Sequence, residues 1–270
     1  MHPIAIADCD CEVQKSPHMN RIKNYRMAAR LVLWTATAGI LLALPLTGQT
    51  ATYSYTDLNP SGFTSSVGYG ISVNHQVGSG NGHALLWSET ASSFVDLNPS
   101  GFTVSAGYGV SGSQQVGWAS GSPSGNIQHA FLWSGTASSA LDLNPSGFIW
   151  SFARANSGNQ QIGYGYGPAT GSNQHALLWS GTASSVVDLN PNGFTQSFGE
   201  RISGSRQVGN GSGPATGNNT HALLWSGTAS SFVDLNPIGF TTSGALGISG
   251  DRQVGNGSGP VTGNNTHALL

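Results

Sequence analysis

Five histidines recur at a fixed interval and are the first residues in this sequence that could do chemistry. Each begins a short apolar run, His-Ala-Leu-Leu-Trp or a near copy, and each follows the previous one by 46 residues: His83, His129, His175, His221 and His267. A ring of imidazoles could bind a metal ion or respond to protonation. A residue that occurs once per repeat more often serves the packing of that repeat. We therefore expect each histidine to bond to the backbone of an adjacent loop.

An aspartate recurs at the start of a second motif, Asp-Leu-Asn-Pro-x-Gly-Phe. The five copies begin at Asp57, Asp96, Asp142, Asp188 and Asp234. Carboxylates are calcium ligands, but known calcium loops concentrate several of them, whereas each copy of this motif offers one. Asp and Asn followed by Pro and Gly are typical of Asx-type turns. The sequence therefore predicts structural turns, with no metal site and no cofactor.

Aromatic side chains stand at positions where the repeats differ from one another. Twelve residues after each anchor aspartate come Tyr69, Tyr108, Arg154, Glu200 and Leu246. Directly after a third motif, Gln-Val-Gly or its variant, come Ser79, Trp118, Tyr164, Asn210 and Asn256. The candidate ligand-binding residues are Trp118, Tyr164, Tyr166, Trp150, Tyr69 and Tyr108. Exposed aromatic rings among amide side chains can stack on sugars, while drift at unconstrained surface positions explains the same variation.

The sequence favours a protein without catalytic activity. Glu89 and Glu200 are single departures from the repeat pattern, whereas glycoside hydrolysis requires two carboxyl groups that face each other across the substrate. No Gly-x-Ser-x-Gly stands between a strand and a helix, as a serine nucleophile would require. The alternative is a secreted propeller enzyme that acts on polysaccharide.

Each repeat contains four short segments with strand character. In the first repeat they are Gly70–Ser72, Gln76–Gly78, His83–Trp87 and Phe94–Leu97. Asn-Pro-Ser-Gly and Trp-Ser-Gly-Thr-Ala-Ser-Ser separate such segments and are typical of turns. The chain has 39 glycines among 270 residues and only 7% charged residues, a composition that suits short strands with glycine-rich connections. The sequence therefore predicts an all-β protein.

The period and the apolar third segment favour a β-propeller. His-Ala-Leu-Leu-Trp is apolar at consecutive positions, which indicates a strand buried on both faces, as a blade between two blades requires. Four strands in about 46 residues match the length of a propeller blade. We expect about five four-stranded blades, with a β-solenoid as the alternative. The domain 52–270 divides into units 57–95, 96–141, 142–187, 188–233 and 234–270.

The two ends of this domain are offset within the repeat. Tyr53 to Leu58 match the fourth segment, and His267 to Leu270 match the third. The N-terminal segment could therefore complete the last blade and close a five-bladed ring. The rival hypothesis is a fragment of a larger propeller, which we favour because Leu270 precedes the position of the Trp that ends every other copy.

Residues 1–51 have the character of a leader. Five basic residues between Lys15 and Arg30 precede the apolar run Leu31 to Leu46, and small or polar residues follow up to Ala51. This order predicts a secretory signal, with an uncleaved membrane anchor as the alternative. Cys9 and Cys11 lie in this leader without a second pair of ligands, so we assign them no structural role. We expect the protein to be secreted or held at the cell surface.

The repeat domain is poor in positive charge. Residues 52–270 contain four Arg, no Lys and eight acidic residues. Binding to phosphates requires a basic patch, so this balance argues against a nucleic-acid partner. Carbohydrate or another surface protein remains as the expected partner, and contact with a membrane would involve only the leader.

The repeat resembles a known bacterial family. Ile-Ser-Gly-x-x-Gln-Val-Gly, a glycine-rich loop, His-Ala-Phe/Leu-Leu-Trp and Asp-Leu follow one another as in the extracellular HAF repeats, which are named for a His-Ala-Phe triplet. Phe131 supplies that phenylalanine, whereas the other copies have Leu, and Asn-Pro follows Asp-Leu where the family more often has Gly. The resemblance spans residues 53–270. It implies a secreted or surface-exposed bacterial protein and transfers no catalytic residues.

Overall fold

The strands of the chain form five separate antiparallel sheets. A computed structural model describes residues 53–270, so the predicted leader 1–51 with its signal and Cys9 lies outside the described residues. Residues Tyr55–Leu270 form one compact unit. The regular structure in the described part consists of nineteen strands and eight three-residue 3-10 turns. The all-β prediction is confirmed.

The first four sheets have four strands each. The first sheet contains β1 Ser66–Ser72, β2 His75–Gly80, β3 His83–Trp87 and β4 Val95–Asp96. The second contains β5 Phe102–Ser111, β6 Gln114–Gly121, β7 His129–Trp133 and β8 Leu141–Asp142. The third contains β9 Trp150–Ser157, β10 Gln160–Tyr166, β11 Gln174–Trp179 and β12 Val187–Asp188. The fourth contains β13 Gln196–Ser203, β14 Arg206–Ser212, β15 His221–Trp225 and β16 Val233–Asp234.

The fifth sheet has three strands, and 3-10 turns punctuate the connections. Its strands are β17 Thr242–Ser249, β18 Arg252–Ser258 and β19 His267–Leu269. The 3-10 turns between third and fourth strands are Ala91–Ser93, Ala137–Ser139, Ala183–Ser185 and Ala229–Ser231. Those between second and third strands are Ser122–Ser124, Pro168–Thr170, Pro214–Thr216 and Pro260–Thr262. In the first sheet, the second and third strands are joined by the two-residue turn Asn81-Gly82 instead, in which φ is 48° at Asn81 and 87° at Gly82.

The four strand segments predicted for the first repeat are all found, but the first strand of each sheet is longer than predicted. β1 begins at Ser66 rather than Gly70, and β5 begins at Phe102, directly after the Asn-Pro-Ser-Gly turn. The extra residues vary from repeat to repeat, so no repeated motif marked them. The sheets are also out of phase with the predicted units, because Asp96 ends the first sheet rather than beginning the next.

Within each sheet the strands follow one another in chain order. The first strand lies at one edge and the two-residue fourth strand at the other edge. A single residue bulges from the first strand where it pairs with the second, for example between Gly107 and Gly109. A Cβ on Gly117 of β6 would collide there with the carbonyl oxygen of Ala106. The glycine of Gln-Val-Gly therefore permits the close approach of the two strands.

The sheets stack in chain order. The first strand of each sheet packs against the first three strands of the preceding sheet, as β5 does on β1, β2 and β3. Each apolar cluster therefore contains residues of two sheets; one joins Val77 and Leu86 of the first sheet to Val110 and Trp133 of the second. The complete copies of His-Ala-Leu-Leu-Trp are buried from Ala to Trp, apart from Leu224, which is half-buried. The predicted burial of both faces of this strand is confirmed.

The pairing of the chain ends that would close a five-bladed ring is not formed among residues 53–270. Among the described residues, β19 pairs only with β18. Tyr53 and Tyr55, in the segment expected to supply a fourth strand, are 95% and 93% exposed. A fourth strand pairs through two residues only, as in β4, and two pairs offer little free energy against the cost of ordering a separate segment. No helix within residues 53–270 is long and apolar enough to cross a membrane.

Candidate functional site

Four of the five recurring histidines pair with a carboxylate. In four sheets the histidine Nδ1 at the start of the third strand lies 2.7 Å from the aspartate Oδ2 at the end of the fourth strand: His83–Asp96, His129–Asp142, His175–Asp188 and His221–Asp234. The expectation of a backbone partner in an adjacent loop is therefore wrong. Adjacent antiparallel strands bring the two side chains together, and the pair holds the short fourth strand to the third.

The same aspartates form the predicted Asx turns. In all five motifs the second carboxylate oxygen accepts the backbone N–H of the asparagine two residues on, at 2.7 to 2.9 Å. That asparagine donates its side-chain N–H to the carbonyl of the following phenylalanine, as Asn98 does to Phe102 at 2.8 Å. Both oxygens of each paired aspartate are thus used in local structure. Residues 53–270 contain no group of three His, Cys, Asp or Glu placed to bind a metal ion.

A buried serine joins each sheet to the next one. The hydroxyl of Ser151 on β9 accepts the backbone N–H of Ala130 on β7 at 3.0 Å and donates to Oδ1 of Asn144 at 2.7 Å. Ser105 and Ser243 make the same two bonds, and Ser197 makes the first of them. The recurring polar residues therefore fix the stacking of the sheets, and the candidate site must be sought among the residues that vary.

The six candidate residues come together in one continuous set of aromatic contacts, which we call the aromatic row. The row consists of Tyr69, Tyr108, Trp118, Trp150, Phe152, Tyr164, Tyr166 and Phe198. These side chains lie on the first two strands of successive sheets, from the first to the fourth. Tyr69 is 47% exposed and the others are half-buried. The sequence predicted six of these eight members, and the structure brings them together.

The contacts in the row cross from sheet to sheet. The rings of Tyr69 and Tyr108 meet edge to face at 5.2 Å, and the indole N–H of Trp118 donates to the hydroxyl of Tyr108 at 3.1 Å. Trp118 meets Phe152 of the third sheet at 5.9 Å. Tyr164 meets Phe198 of the fourth sheet at 5.2 Å. Aromatic pairs of this geometry contribute about 0.5–1.5 kcal/mol each beyond area burial, so the row also stabilises the stacking.

Trp150 and Tyr166 form a stacked pair of half-buried rings in the third sheet. They are direct partners on β9 and β10, and their rings stack at 5.6 Å with an angle of 12° between the planes. Trp150 also meets Phe152 and Tyr164 edge to face. As cross-strand partners, the two rings lie on the same face of the third sheet.

An ion pair lies within the aromatic row. The guanidinium of Arg154 lies 5.0 Å from the ring centre of Tyr108 and donates to Oε2 of Glu200 through Nη2 at 3.2 Å and Nε at 3.3 Å. Arg201 donates from Nη1 to the carbonyl of Glu200 at 2.8 Å. The side chains of Arg154 and Glu200 are 30% and 16% exposed. The row therefore combines aromatic faces with charged donors and acceptors.

Burial shifts the pKa of two groups at the row, Tyr164 and Arg201. Burial raises the pKa of the Tyr164 hydroxyl, and the Glu200 carboxylate adds to the increase while the Arg154 guanidinium opposes it. Burial lowers the pKa of Arg201, with Arg154 acting in the same direction and Glu200 against it. Tyr164 therefore keeps its proton at neutral pH and is available as a hydrogen-bond donor.

Sequence reasoning missed four members of the site. Phe152 and Phe198 stand four residues after the phenylalanine of the Asn-Pro motif, a register at which the other repeats have Val67, Ala106 and Gly244, so no recurring residue marks it. Arg154 and Glu200 were seen to vary but were not assigned to the site. The sequence does mark Arg154 and Glu200 as candidates, because they occupy the same register as Tyr69 and Tyr108. Opposite charges at one register in neighbouring repeats predict an ion pair once the sheets are known to stack in chain order.

Comparison of the chain with models of known protein families gave no match, and comparison with curated proteins gave no significant match.

Proposed function

We propose that this chain is an exported, non-catalytic repeat protein that binds carbohydrate through its aromatic row at the cell surface or in the extracellular matrix. The observation that carries the proposal is the convergence of Tyr69, Tyr108, Trp118, Trp150, Tyr164 and Tyr166 in one row. These residues occupy variable positions of a repeat whose recurring residues serve the fold. Variation that converges on one surface is typical of a binding surface.

The chemistry of the row suits a sugar. Aromatic faces such as the Trp150–Tyr166 pair can cover the apolar face of a pyranose ring, and Arg154, Glu200 and the Tyr164 hydroxyl can hydrogen-bond to its hydroxyl groups. Binding sites commonly combine apolar walls with a few polar groups of this kind. The row extends over several sheets, which favours an extended oligosaccharide over a monosaccharide.

The stacking supports a β-propeller or a piece of one as the scaffold. Successive first strands contact one another, as β5 contacts β9, whereas successive second and third strands make no comparable contact. Each sheet therefore contacts the preceding sheet mainly through its first strand and diverges from it toward its second and third strands, and such a wedge curves a row of blades around an axis. Four antiparallel strands in chain order per sheet agree with this architecture. The coils of a solenoid stack without a wedge of this kind.

Membership of the extracellular HAF repeat family and export through the N-terminal signal are parts of the same proposal. The repeat motifs support the first, and the basic and apolar segments of residues 1–51 support the second. The low charge and the Gly-, Ser- and Asn-rich loops of the repeat domain are compatible with an extracellular protein that has no cysteine after residue 51.

The polar groups of the row support binding rather than hydrolysis. Glu200 is the single carboxylate of the row and is paired with Arg154. Glycoside hydrolysis needs a second carboxyl group opposite the first. The alternative function, a polysaccharide-acting enzyme, would place its second acid outside the row.

Binding to an array of oligosaccharides, with a parallel assay for released reducing ends, tests the proposal. We expect the full chain to bind at least one extended glycan without cleaving it, and Trp150→Ala to weaken that binding at least tenfold. Tyr55→Ala, which removes an exposed ring outside the row, is the matched control and retains binding. Binding that is unchanged in Trp150→Ala, or cleavage of the glycan, would contradict the proposal.

A further inference from the structure

The charges at the aromatic row do not balance. Residues 53–270 contain four arginines and no lysine, and two of these arginines, Arg154 and Arg201, lie at the row. Among the described residues, Glu200 is the only carboxylate that forms an ion pair with either of them. The row therefore carries one surplus positive charge, in a domain whose eight acidic residues outnumber its arginines.

Glu200 neutralises Arg154 and leaves Arg201 without a counter-ion. Arg154 donates from Nη2 and Nε to Oε2 of Glu200, at 3.2 and 3.3 Å. Arg201 donates instead from Nη1 to the backbone carbonyl of Glu200 at 2.8 Å, a neutral acceptor. Its strand β13 packs between β9 and β17, so both neighbouring sheets belong to the described chain. Within residues 53–270, the other N–H groups of Arg201 have no protein acceptor.

The surroundings of Arg201 favour an anion over a neutral ligand. Arg201 is half-buried, so water reaches its guanidinium only in part. Burial lowers the pKa of Arg201, and the Arg154 guanidinium lowers it further, so the two cations are close enough to repel each other. Arg201 nevertheless stays charged at neutral pH. An anion beside the two guanidinium groups relieves their repulsion, whereas an uncharged sugar does not.

Packing between the sheets does not account for an arginine at this position. The corresponding residues of the other sheets are small: Gly70, Gly109, Ala155 and Gly247. A Cβ on Gly70 would lie 2.8 Å from the carbonyl oxygen of Tyr108, and a Cβ on Gly109 would lie 2.9 Å from Cα of Ala155. The repeat therefore keeps this register small where first strands approach one another, and only the fourth sheet places a charged side chain there.

The groups around Arg154 hold it in place before a ligand binds. Its guanidinium lies 5.0 Å from the ring centre of Tyr108 and is bonded to Glu200, whose side chain is 16% exposed. Trp118 in turn fixes Tyr108 by donating to its hydroxyl at 3.1 Å. Side chains that are ordered in advance lose less entropy on binding.

We propose that the row binds an acidic oligosaccharide, in which Arg201, with Arg154 beside it, receives the carboxylate of a uronic acid while the aromatic rings cover the pyranose faces. The inference rests on the proposed function and narrows its ligand from carbohydrate in general to uronate-containing glycans. A planar guanidinium matches a planar carboxylate through two parallel hydrogen bonds. A single surplus charge at the row suits a single carboxylate.

Titration of the full chain with matched oligosaccharides tests this assignment. Oligogalacturonate and its methyl ester share one backbone and differ in charge. We expect the acid to bind about tenfold more tightly than the ester, because hydrogen bonds to charged groups are the stronger ones. A sulfated oligosaccharide with a neutral backbone should bind more weakly than the acid. Equal binding of the acid and its ester overturns the proposal, as does tighter binding of the sulfated sugar.

Substitution of Arg201 identifies the group that reads the charge. In Arg201→Gln we expect the preference for the acid over the ester to fall below about threefold, with binding of the ester unchanged. Arg201→Lys keeps the charge and should retain more of the preference than Arg201→Gln. Arg252→Gln removes an exposed arginine of the fifth sheet and is the matched control, which keeps the preference. An unchanged preference in Arg201→Gln overturns the proposal, and so does an equal loss of acid and ester binding.

Glu200→Gln provides a test that loss of folding cannot imitate, because the expected result is a gain. The substitution removes the carboxylate that competes for the arginines and keeps a side chain that can hydrogen-bond. We expect the acid to bind about threefold more tightly and the ester to bind as before. Unchanged or weaker binding of the acid overturns the proposal.

The same titrations separate this inference from the proposed function. Binding of glycans that depends on Trp150 but shows no preference for the acid would overturn the inference and leave the proposed function intact. Binding of the acid that depends on Arg201 but is unchanged in Trp150→Ala would do the reverse, because it would show an anion site without a role for the aromatic rings.

Discussion

At the residue scale, the buried serines show how one hydroxyl joins two sheets. Ser151 is 0% exposed, accepts the backbone N–H of Ala130 and donates to Asn144. Replacing it by alanine leaves a buried N–H and a buried amide oxygen without partners. An unsatisfied buried polar group costs about 1–3 kcal/mol. We therefore expect Ser151→Ala to lower the free energy of unfolding by about that amount in a urea titration.

The first sheet offers the control for this prediction. Ser66 stands at the corresponding position of β1, but no sheet precedes it in the described chain. Ser66→Ala should change the free energy of unfolding of the monomer by less than about 0.5 kcal/mol. If Ser66→Ala and Ser151→Ala lowered the free energy of unfolding by equal amounts, the hydroxyl would act within its own strand and not between sheets.

Val73 occupies a turn position that suits glycine. Its φ is 48°, and the corresponding residues of the other hairpins are glycines with φ between 56° and 57°: Gly112, Gly158, Gly204 and Gly250. A β-branched residue in the left-handed region is strained by about 1–2 kcal/mol. We expect Val73→Gly to raise the thermal midpoint, and the converse change Gly204→Val to lower it. A lower midpoint for Val73→Gly would mean that lost chain entropy outweighs the strain.

The pKa of Tyr164 gives stability a dependence on alkaline pH. Burial raises this pKa in the folded state, so the folded chain holds the proton more tightly than the unfolded chain does. The stabilisation is fully present below about pH 10, the ordinary tyrosine value, and is lost as pH rises through the folded pKa. Tyr164→Phe should therefore flatten the fall in the free energy of unfolding above pH 10. If the free energy of unfolding fell equally steeply with pH in the unchanged chain and in Tyr164→Phe, Tyr164 would not be the source of this pH dependence.

At the element scale, a strand covered on both faces should cost more free energy to open locally than a strand covered on a single face. β10 lies in a sheet between two others, and its residues Gln161, Ile162 and Gly163 are buried. β18 is the corresponding strand of the fifth sheet, and its Val254 and Asn256 are exposed. In the monomer, local opening of β18 exposes less additional apolar surface than local opening of β10, so it costs less free energy.

Hydrogen exchange measures this difference. At a concentration where the chain is monomeric, we expect backbone amides of β18 to exchange at least tenfold faster than those of β10. The two strands have the same Gln-Val/Ile-Gly motif, and residues 255–257 pair with the third strand in the same register as residues 163–165, so β10 is a matched control at these positions. Equal protection in the monomer would show that the fifth sheet is covered by the chain itself.

The strands were predictable because their motifs recur. Gln-Val-Gly and His-Ala-Leu-Leu-Trp mark the second and third strands in every repeat, and the turn residues mark their ends. The first strand was predicted too short, because β9 begins with Trp150-Ser-Phe and β13 with Gln196-Ser-Phe, and only the serine is common to most repeats. The hypothesis that residues 53–58 complete the fifth sheet, which was the less favoured of the two, was wrong, because register alone does not tell whether a two-residue strand can hold a separate segment.

At the scale of the whole molecule, the stacking of the sheets creates the candidate site. Trp118 and Phe152 belong to different sheets, as do Arg154 and Glu200, and their contacts follow from the order of the stack. The sequence indicated which positions vary, and hence six members of the row. It did not indicate that they meet, because contacts between repeats depend on the direction in which each strand presents its side chains. The paired role of Arg154 and Glu200 appeared only with the structure.

Hydroxyl-radical footprinting of the full chain with a bound oligosaccharide tests the central claim most directly, because it reports the burial of each aromatic side chain on binding. The claim predicts lower oxidation of Trp118, Trp150 and Tyr166 in the complex. Tyr53 and Tyr55, which are exposed outside the row, should be oxidised equally with and without the glycan. Binding with unchanged oxidation of Trp118 and Trp150 would contradict the assignment of the aromatic row as the binding surface.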